Sequence, residues 1–202
     1  MMAVAAVVGL ALRGTAAKMP ETDGGTTYAR NGNTYTVRNV FQSSSKTPEL
    51  LNICFDFKHL QQYYHGTEVR LVALGPDWQR LEYRTDYMIG TSTVVYKKTR
   101  DRAKNTVSFT MLSYKATGWG IAALTASSGS YAITDDGKIR TLTYEQSVTV
   151  DREIGPIDWS LIKRKTKAFF TDFEAYVRHQ EKPPEQAITP TTGPASVADK
   201  IL

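Results

Sequence analysis

The 202-residue sequence has little of what would place it in several large classes of protein. Its one cysteine, Cys54, excludes an intramolecular disulfide framework and a zinc cluster built from several cysteines. Its longest apolar run, from Met1 to Leu12, is shorter than the roughly 18 residues that a membrane-spanning helix needs. It has no glycine-rich phosphate loop and no G-x-S-x-G elbow, so no recognisable nucleotide-binding or hydrolase motif is present.

Charge and histidine content are also low. The 25 Lys and Arg residues exceed the 20 Asp and Glu residues by 5, which is too mild an excess to indicate binding to nucleic acid. The histidines, His59, His65 and His179, lack the spacing of a metal-binding pair. We therefore predict no metal, no cofactor and no nucleic-acid partner, and we expect Cys54, on an apolar helix face, to be a buried inert thiol.

The two ends of the sequence differ in composition from its middle. Residues 1–17 form an apolar segment that ends in small residues and favours a cleaved signal segment, hence a periplasmic or secreted protein. Because no basic residue precedes that segment and Arg13 interrupts it, a frayed start of a cytosolic protein is the alternative. Residues 18–32 are polar and predict a linker, 33–182 predict the folded domain, and 183–202 predict a flexible Pro/Thr-rich tail.

In the middle of the sequence, the spacing of apolar residues changes more than once between that of a helix and that of a strand. A first strand over 34–42 is followed by two short helices, in TPELLNICF and FKHLQQYYH, the first opened by Thr47 and Pro48. From Thr67 to Arg152 apolar and polar residues alternate, which predicts successive antiparallel strands with one buried face. A long amphipathic helix is predicted from about Ile157 to Gln180.

This order of elements, with the segments TPELLNICFDFKHLQQYY and GPIDWSLIKRKTKAFFTDFEAYV, resembles the START-like helix-grip superfamily (SRPBCC). That superfamily contains polyketide cyclases, pollen-allergen-type proteins and lipid-transfer domains. The resemblance covers about residues 34–180 and rests on architecture. It implies an α+β fold in which a curved antiparallel sheet of about seven strands wraps around the long C-terminal helix, with two short helices after the first strand and a cavity between sheet and helix.

The inward-facing positions of the predicted sheet and terminal helix are largely aromatic. The candidate ligand-binding residues are Tyr83, Thr85, Tyr87, Phe109, Met111, Tyr144, Gln146, Ile162, Phe169 and Phe173. They fit either the wall of a cavity for a hydrophobic ligand or an ordinary packed core. Gln146 interrupts an apolar face, and a buried amide without partners costs roughly 1–3 kcal/mol. We expect it to bond either a ligand head group or a neighbouring side chain or water.

Two further segments have more than one interpretation. The basic run of Lys163, Arg164, Lys165 and Lys167 fits contact with an anionic membrane surface or the solvated face of an amphipathic helix. The apolar insertion at 118–129 fits a lid, a membrane-touching tip or a short packed helix.

Three functions are compatible with these patterns. The first is non-catalytic binding or transfer of a hydrophobic small molecule, a lipid or an isoprenoid-like compound. The second is an enzyme similar to the polyketide cyclases and aromatases, which would need an ionisable residue that points into the cavity. The third is a surface interaction module with a filled core. The sequence identifies no catalytic residue and leaves the oligomeric state open.

Overall fold

The fold is an α+β arrangement of one large sheet and three helices in the part of the chain that is described. The computed structural model describes residues 20–88, 90–118 and 122–181, with Tyr87 in its backbone alone. The strands are β1 (Glu21–Asp23), β2 (Thr26–Asn31), β3 (Thr34–Ser43), β4 (Glu68–Leu74), β5 (Trp78–Tyr87), β6 (Gly90–Asp101), β7 (Thr106–Gly118), β8 (Leu124–Asp135) and β9 (Arg140–Val150). The helices are α1 (Thr47–Phe55), α2 (Phe57–Tyr63) and α3 (Pro156–Glu181). The signal segment predicted over 1–17 and the tail over 183–202 lie outside the described residues.

All nine described strands join one antiparallel sheet in the order β1-β2-β3-β9-β8-β7-β6-β5-β4. The prediction of about seven strands missed β1 and β2, which occupy most of the predicted linker over 18–32. The sequence that spans these strands is typical of a loop because it contains the glycines at 24 and 25. These two glycines have positive φ and form the turn between β1 and β2. Thr26 and Tyr28 are nevertheless buried, and the Tyr28 ring meets that of Trp159 edge-on.

The long helix α3 covers the inner face of the sheet, as the sequence predicted to within one residue at each end. Its buried side includes Phe173 and Val177, both fully buried. Near its start, Trp159 Nε1 donates a hydrogen bond to Glu21 of β1. At its other end, Glu181 accepts a hydrogen bond from Ser43 Oγ at 2.5 Å, so α3 is fixed to the sheet at both ends.

The short helices α1 and α2 cover one end of the sheet's inner face. In α1, Pro48 occupies the first turn and Glu49 accepts a hydrogen bond from the backbone N–H of Lys46, which satisfies a donor at the helix start. The α2 segment ends at Tyr63, and Gly66 (φ +71°) turns the chain toward β4.

Strands β7 and β8 separate along part of their length. They pair only between Thr106–Thr110 and Ser128–Ala132, whereas β7 continues beside β6 as far as Gly118. The insertion predicted over 118–129 is therefore strand from Leu124 onward and not a helix there, and residues 119–121 lie outside the described residues. Among the helices described, none is long and apolar enough to cross a bilayer.

Candidate ligand-binding cavity

A cavity of about 490 Å³ lies between the inner face of the sheet and the middle of α3. Its wall comes from β5, β6, β7, β8 and β9 on one side and from α3 and the end of α2 on the other. This volume falls within the range of small-molecule sites, about 300–1,000 Å³. The cavity opens to the surface where the turn after α2 meets α3, because His65, Gly66 and Lys165 line it and are exposed.

The wall of the cavity is mainly a set of touching aromatic rings. The Tyr64 and Tyr83 ring centroids are 5.1 Å apart, those of Tyr83 and Tyr96 are 5.6 Å apart, and Phe109 continues the row at 5.7 Å from Tyr96. Burial raises the pKa of the Tyr83 phenol well above its ordinary value of 10. The phenols are therefore neutral hydroxyls on an apolar wall, which suits a ligand with few polar atoms.

A chain of hydrogen bonds crosses the sheet where β7 and β8 separate. Tyr144 Oη donates to Gln146 Oε1 at 2.6 Å, and Gln146 Nε2 donates to Ser127 Oγ at 3.0 Å. Tyr96 Oη donates to the same Ser127 Oγ at 2.9 Å. Gln146 thus bonds neighbouring side chains, as one of its two sequence interpretations has it, and it also lines the cavity.

Lys98 is a buried amine in the cavity wall that the sequence reading did not single out. Its side chain reaches the end of α1, where Nζ donates to the carbonyl oxygen of Cys54 at 2.6 Å, and Nζ lies 5.2 Å from the centroid of the Tyr131 ring. Burial lowers the pKa of this amine from 10.5 to about 8. In the described part of the chain, no carboxylate lies within ion-pair distance of it.

Arg100 is a second buried cation on the same face of β6, two residues along. Its Nε lies 3.1 Å from Asp77 Oδ1, and its Nη1 lies 3.6 Å from Asp56 Oδ1. Nη1 also donates to Asn52 Oδ1 at 2.8 Å. Hydrogen bonding to Arg100 is the main cause that lowers the pKa of Asp77. The chain therefore supplies anions for this guanidinium.

The ten residues predicted from the sequence divide into three groups. Six of them line the cavity, namely Tyr83, Thr85, Phe109, Tyr144, Gln146 and Phe169. Phe173 is fully buried in the core, while Ile162 and Met111 are half-buried outside the cavity lining. Tyr87 ends β5, and its side chain lies outside the description. Their role as ligand-binding residues stays a prediction.

The lining residues that sequence reasoning missed include Tyr64, Tyr96, Tyr131 and Lys98. Tyr64 follows the last residue of α2, where helical periodicity no longer indicates a face. Tyr96 and Lys98 belong to β6, whose inward positions include the cations Lys98 and Arg100. Apolar and polar residues therefore do not alternate along this strand. Only the positions of Tyr96 and Lys98, two and four residues after the apolar Val94, could have indicated that they face inward.

Side chains that could bind a metal ion are not gathered in the described residues. No cluster of three or more His, Cys, Asp or Glu side chains suited to a metal ion occurs among them. Burial raises the pKa of the Cys54 thiol to about 12, so at neutral pH it is an unreactive thiol.

The basic run on α3 is partly neutralised by β1. Lys163 Nζ lies 2.5 Å from Glu21 Oε2, and Lys167 Nζ lies 2.7 Å from Asp23 Oδ2. Two of the four cations that suggested contact with a membrane surface therefore fix the edge of the sheet to the helix.

Comparison by sequence finds no matching family model and no match among curated proteins. Comparison of folds does find similar solved structures. The Zhui aromatase/cyclase from Streptomyces sp. R1128 has a TM-score of 0.58 at 13% identity, over 74% of this chain and 96% of that one. A STAR-related lipid transfer protein from Xanthomonas axonopodis has a TM-score of 0.58 at 12% identity, over 83% and 100%.

A norcoclaurine synthase from Thalictrum flavum has a TM-score of 0.53 at 11% identity, over 76% of this chain and 99% of that one. At such identities the likeness concerns the fold. In its described residues a nine-stranded antiparallel sheet is covered by a long C-terminal helix, and the chain has the START-like helix-grip fold.

Proposed function

We propose that the protein binds a hydrophobic small molecule, a lipid or an isoprenoid-like compound, between the sheet and α3. The observation that carries the proposal is the cavity of about 490 Å³ with its continuous aromatic wall. A packed core of the same residue types would leave few voids larger than a water molecule. A similar fold in proteins named for lipid transfer and for aromatase/cyclase activity supports a ligand in this position.

The wall is suited to apolar surface with one or two polar atoms. Burial of apolar ligand surface contributes roughly 25 cal/mol per Å² before the cost of immobilising the ligand. The Tyr83 hydroxyl and the amide of Gln146 are among the polar groups that would fix its orientation. Asp86 and Lys165 stand at the exposed rim, where a polar end of the ligand would meet water.

One observation favours the second function, an enzyme similar to the cyclases and aromatases. Lys98 is an ionisable side chain in the cavity wall, and an amine with a pKa of about 8 exchanges protons near neutral pH. That function would require turnover of a poly-β-ketone by the purified protein and loss of turnover in Lys98→Met.

A matched pair of substitutions in β6 tests the proposed binding. Val94 lines the cavity and pairs with Tyr83, whereas Val95 pairs with Glu82 on the opposite face of the sheet. Val94→Trp fills part of the cavity, and Val95→Trp adds the same ring outside it.

The measurement is a fluorescence titration with the apolar dye N-phenyl-1-naphthylamine. We expect saturable one-site binding to the natural protein and to Val95→Trp, and binding weakened about tenfold or more in Val94→Trp, because the added ring occupies ligand volume. Equal binding by both variants would place the dye elsewhere, and no binding to the natural protein would contradict the proposal.

A further inference from the structure

We propose that the cavity selects ligands that carry one acidic oxygen group, of the carboxylate class, and that Lys98 binds this group. The inference rests on the proposed function and adds the class of ligand. It starts from the place of Lys98 in the wall, next to Tyr131, which also lines the cavity.

The amine of Lys98 has fewer hydrogen-bond acceptors in the described chain than it has hydrogens to donate. It is 2% exposed, and the structure gives its Nζ one hydrogen-bond acceptor, the carbonyl oxygen of Cys54. An ammonium group has three hydrogens to donate. A buried charge is costly unless it is paired and hydrogen-bonded, so an anion in the cavity would supply what the described chain does not.

Capping of α1 requires a hydrogen-bond donor at this position but does not require a charge. Gln79, on the neighbouring strand β5, donates from its amide Nε2 to the carbonyl oxygen of Phe55, the next residue of the same helix end. Gln79 is as buried as Lys98 and carries no charge. A neutral amide therefore satisfies an α1 carbonyl, and the amine of Lys98 needs a further reason.

Arg100 is a buried cation with a structural role, and the protein itself supplies anionic partners for it. Its guanidinium has Asp77 and Asp56 within ion-pair distance and Asn52 within hydrogen-bond distance. Lys98 sits on the same face of the same strand and has no such partner among the described residues. The two positions differ in that Lys98 lines the cavity, which is where its counter-ion would sit.

Other titratable and charged groups face Lys98 or line the same cavity. These groups are Cys54 of α1, Tyr63 of α2 and Tyr64 just after it, Tyr83 of β5, Tyr96 and Arg100 of its own strand, Tyr131 of β8, Tyr144 of β9, His65 and Asp86 at the cavity mouth, and Lys165 and Asp172 of α3. Burial raises the pKa of these phenols and of the thiol above their ordinary values.

Two probes that differ in one group test the inference, 1-pyrenebutyric acid and 1-pyrenebutanol, measured by fluorescence titration. At pH 7.5 we expect the natural protein to bind the acid more tightly, and Lys98→Met to lose about tenfold or more of its affinity for the acid while its affinity for the alcohol is little changed. Lys97→Met is the control. It removes the same charge from the exposed face of the same strand and should leave both affinities unchanged.

The natural protein alone gives a second readout, so the test does not depend on the folding of the variant. From pH 7.5 to 9.5 the amine of Lys98 loses its proton, and the affinity for the acid should fall about tenfold while that for the alcohol stays level. Equal affinities for acid and alcohol, flat with pH and unchanged in Lys98→Met, would overturn this inference and leave the proposed function standing. Failure of the natural protein to bind either probe would contradict the proposed function itself.

Discussion

The space between the sheet and α3 has a packed half and an open half, and both are built from the same kinds of side chain. In the packed half, Phe173 contacts Phe41 at 5.6 Å and Tyr63 at 4.8 Å between ring centroids, and it is fully buried. In the open half, Phe169 lies one turn earlier on the same helix and lines the cavity.

The difference between the halves comes from where α2 ends. Tyr63, the last residue of α2, fills the space beside Phe173. Gly66 then turns the chain away with a φ of +71°, so no further turn of α2 covers the sheet. Composition sets whether a region is apolar, but the length of the covering element sets whether that region is filled.

The largest expected effect compares the two phenylalanines directly. Phe173→Ala should lower the free energy of unfolding by about 3–5 kcal/mol, because it opens a void in a filled region. Phe169→Ala should cost about 1–2 kcal/mol, since its ring is already half-buried against a cavity. Urea denaturation of both variants checks the difference, and equal losses would show that the two halves are packed alike.

The next effect concerns the buried amine of the open half. Because the pKa of Lys98 is about 8 in the folded protein and about 10.5 in the unfolded chain, the unfolded chain holds more protons between these values. The stability of the natural protein should therefore rise as pH increases from 8 toward 10, and below pH 8 the buried charge costs about 3 kcal/mol.

Lys98→Met removes that cost together with one hydrogen bond. We expect the variant to be as stable as the natural protein at pH 7, or more stable by up to about 3 kcal/mol, and to lack the rise above pH 8. Urea titrations at pH 7 and 9.5, with Lys97→Met as the control, measure both. A variant much less stable at pH 7, with the rise retained, would mean that Lys98 is a stabilising structural contact.

The sequence predicted the fold and some residues of the open half, because the periodicity within each strand and helix indicates which side chains face inward. In β5, strict alternation placed Tyr83 and Thr85 inward, and both line the cavity. Helical periodicity placed Phe169 and Phe173 on one face of α3. It could not separate them, because periodicity gives the face of a helix and not what lies opposite each turn.

The features that could not be predicted from the sequence involve polar residues in buried positions. Lys98 and Arg100 are typical of a solvated face, and their burial depends on acceptors from α1 and the β4–β5 turn that no local pattern reveals. The strands β1 and β2 were likewise hidden, because their burial depends on contact with α3 far along the chain.

The most direct test of a ligand in the open half is native mass spectrometry of the protein purified from its own source, followed by extraction. We predict a bound mass in the range of a drug-sized apolar molecule, one per chain, that is lost when the protein is unfolded. The bare mass of the chain under all gentle conditions, together with no uptake when apolar probes are added, would contradict the account.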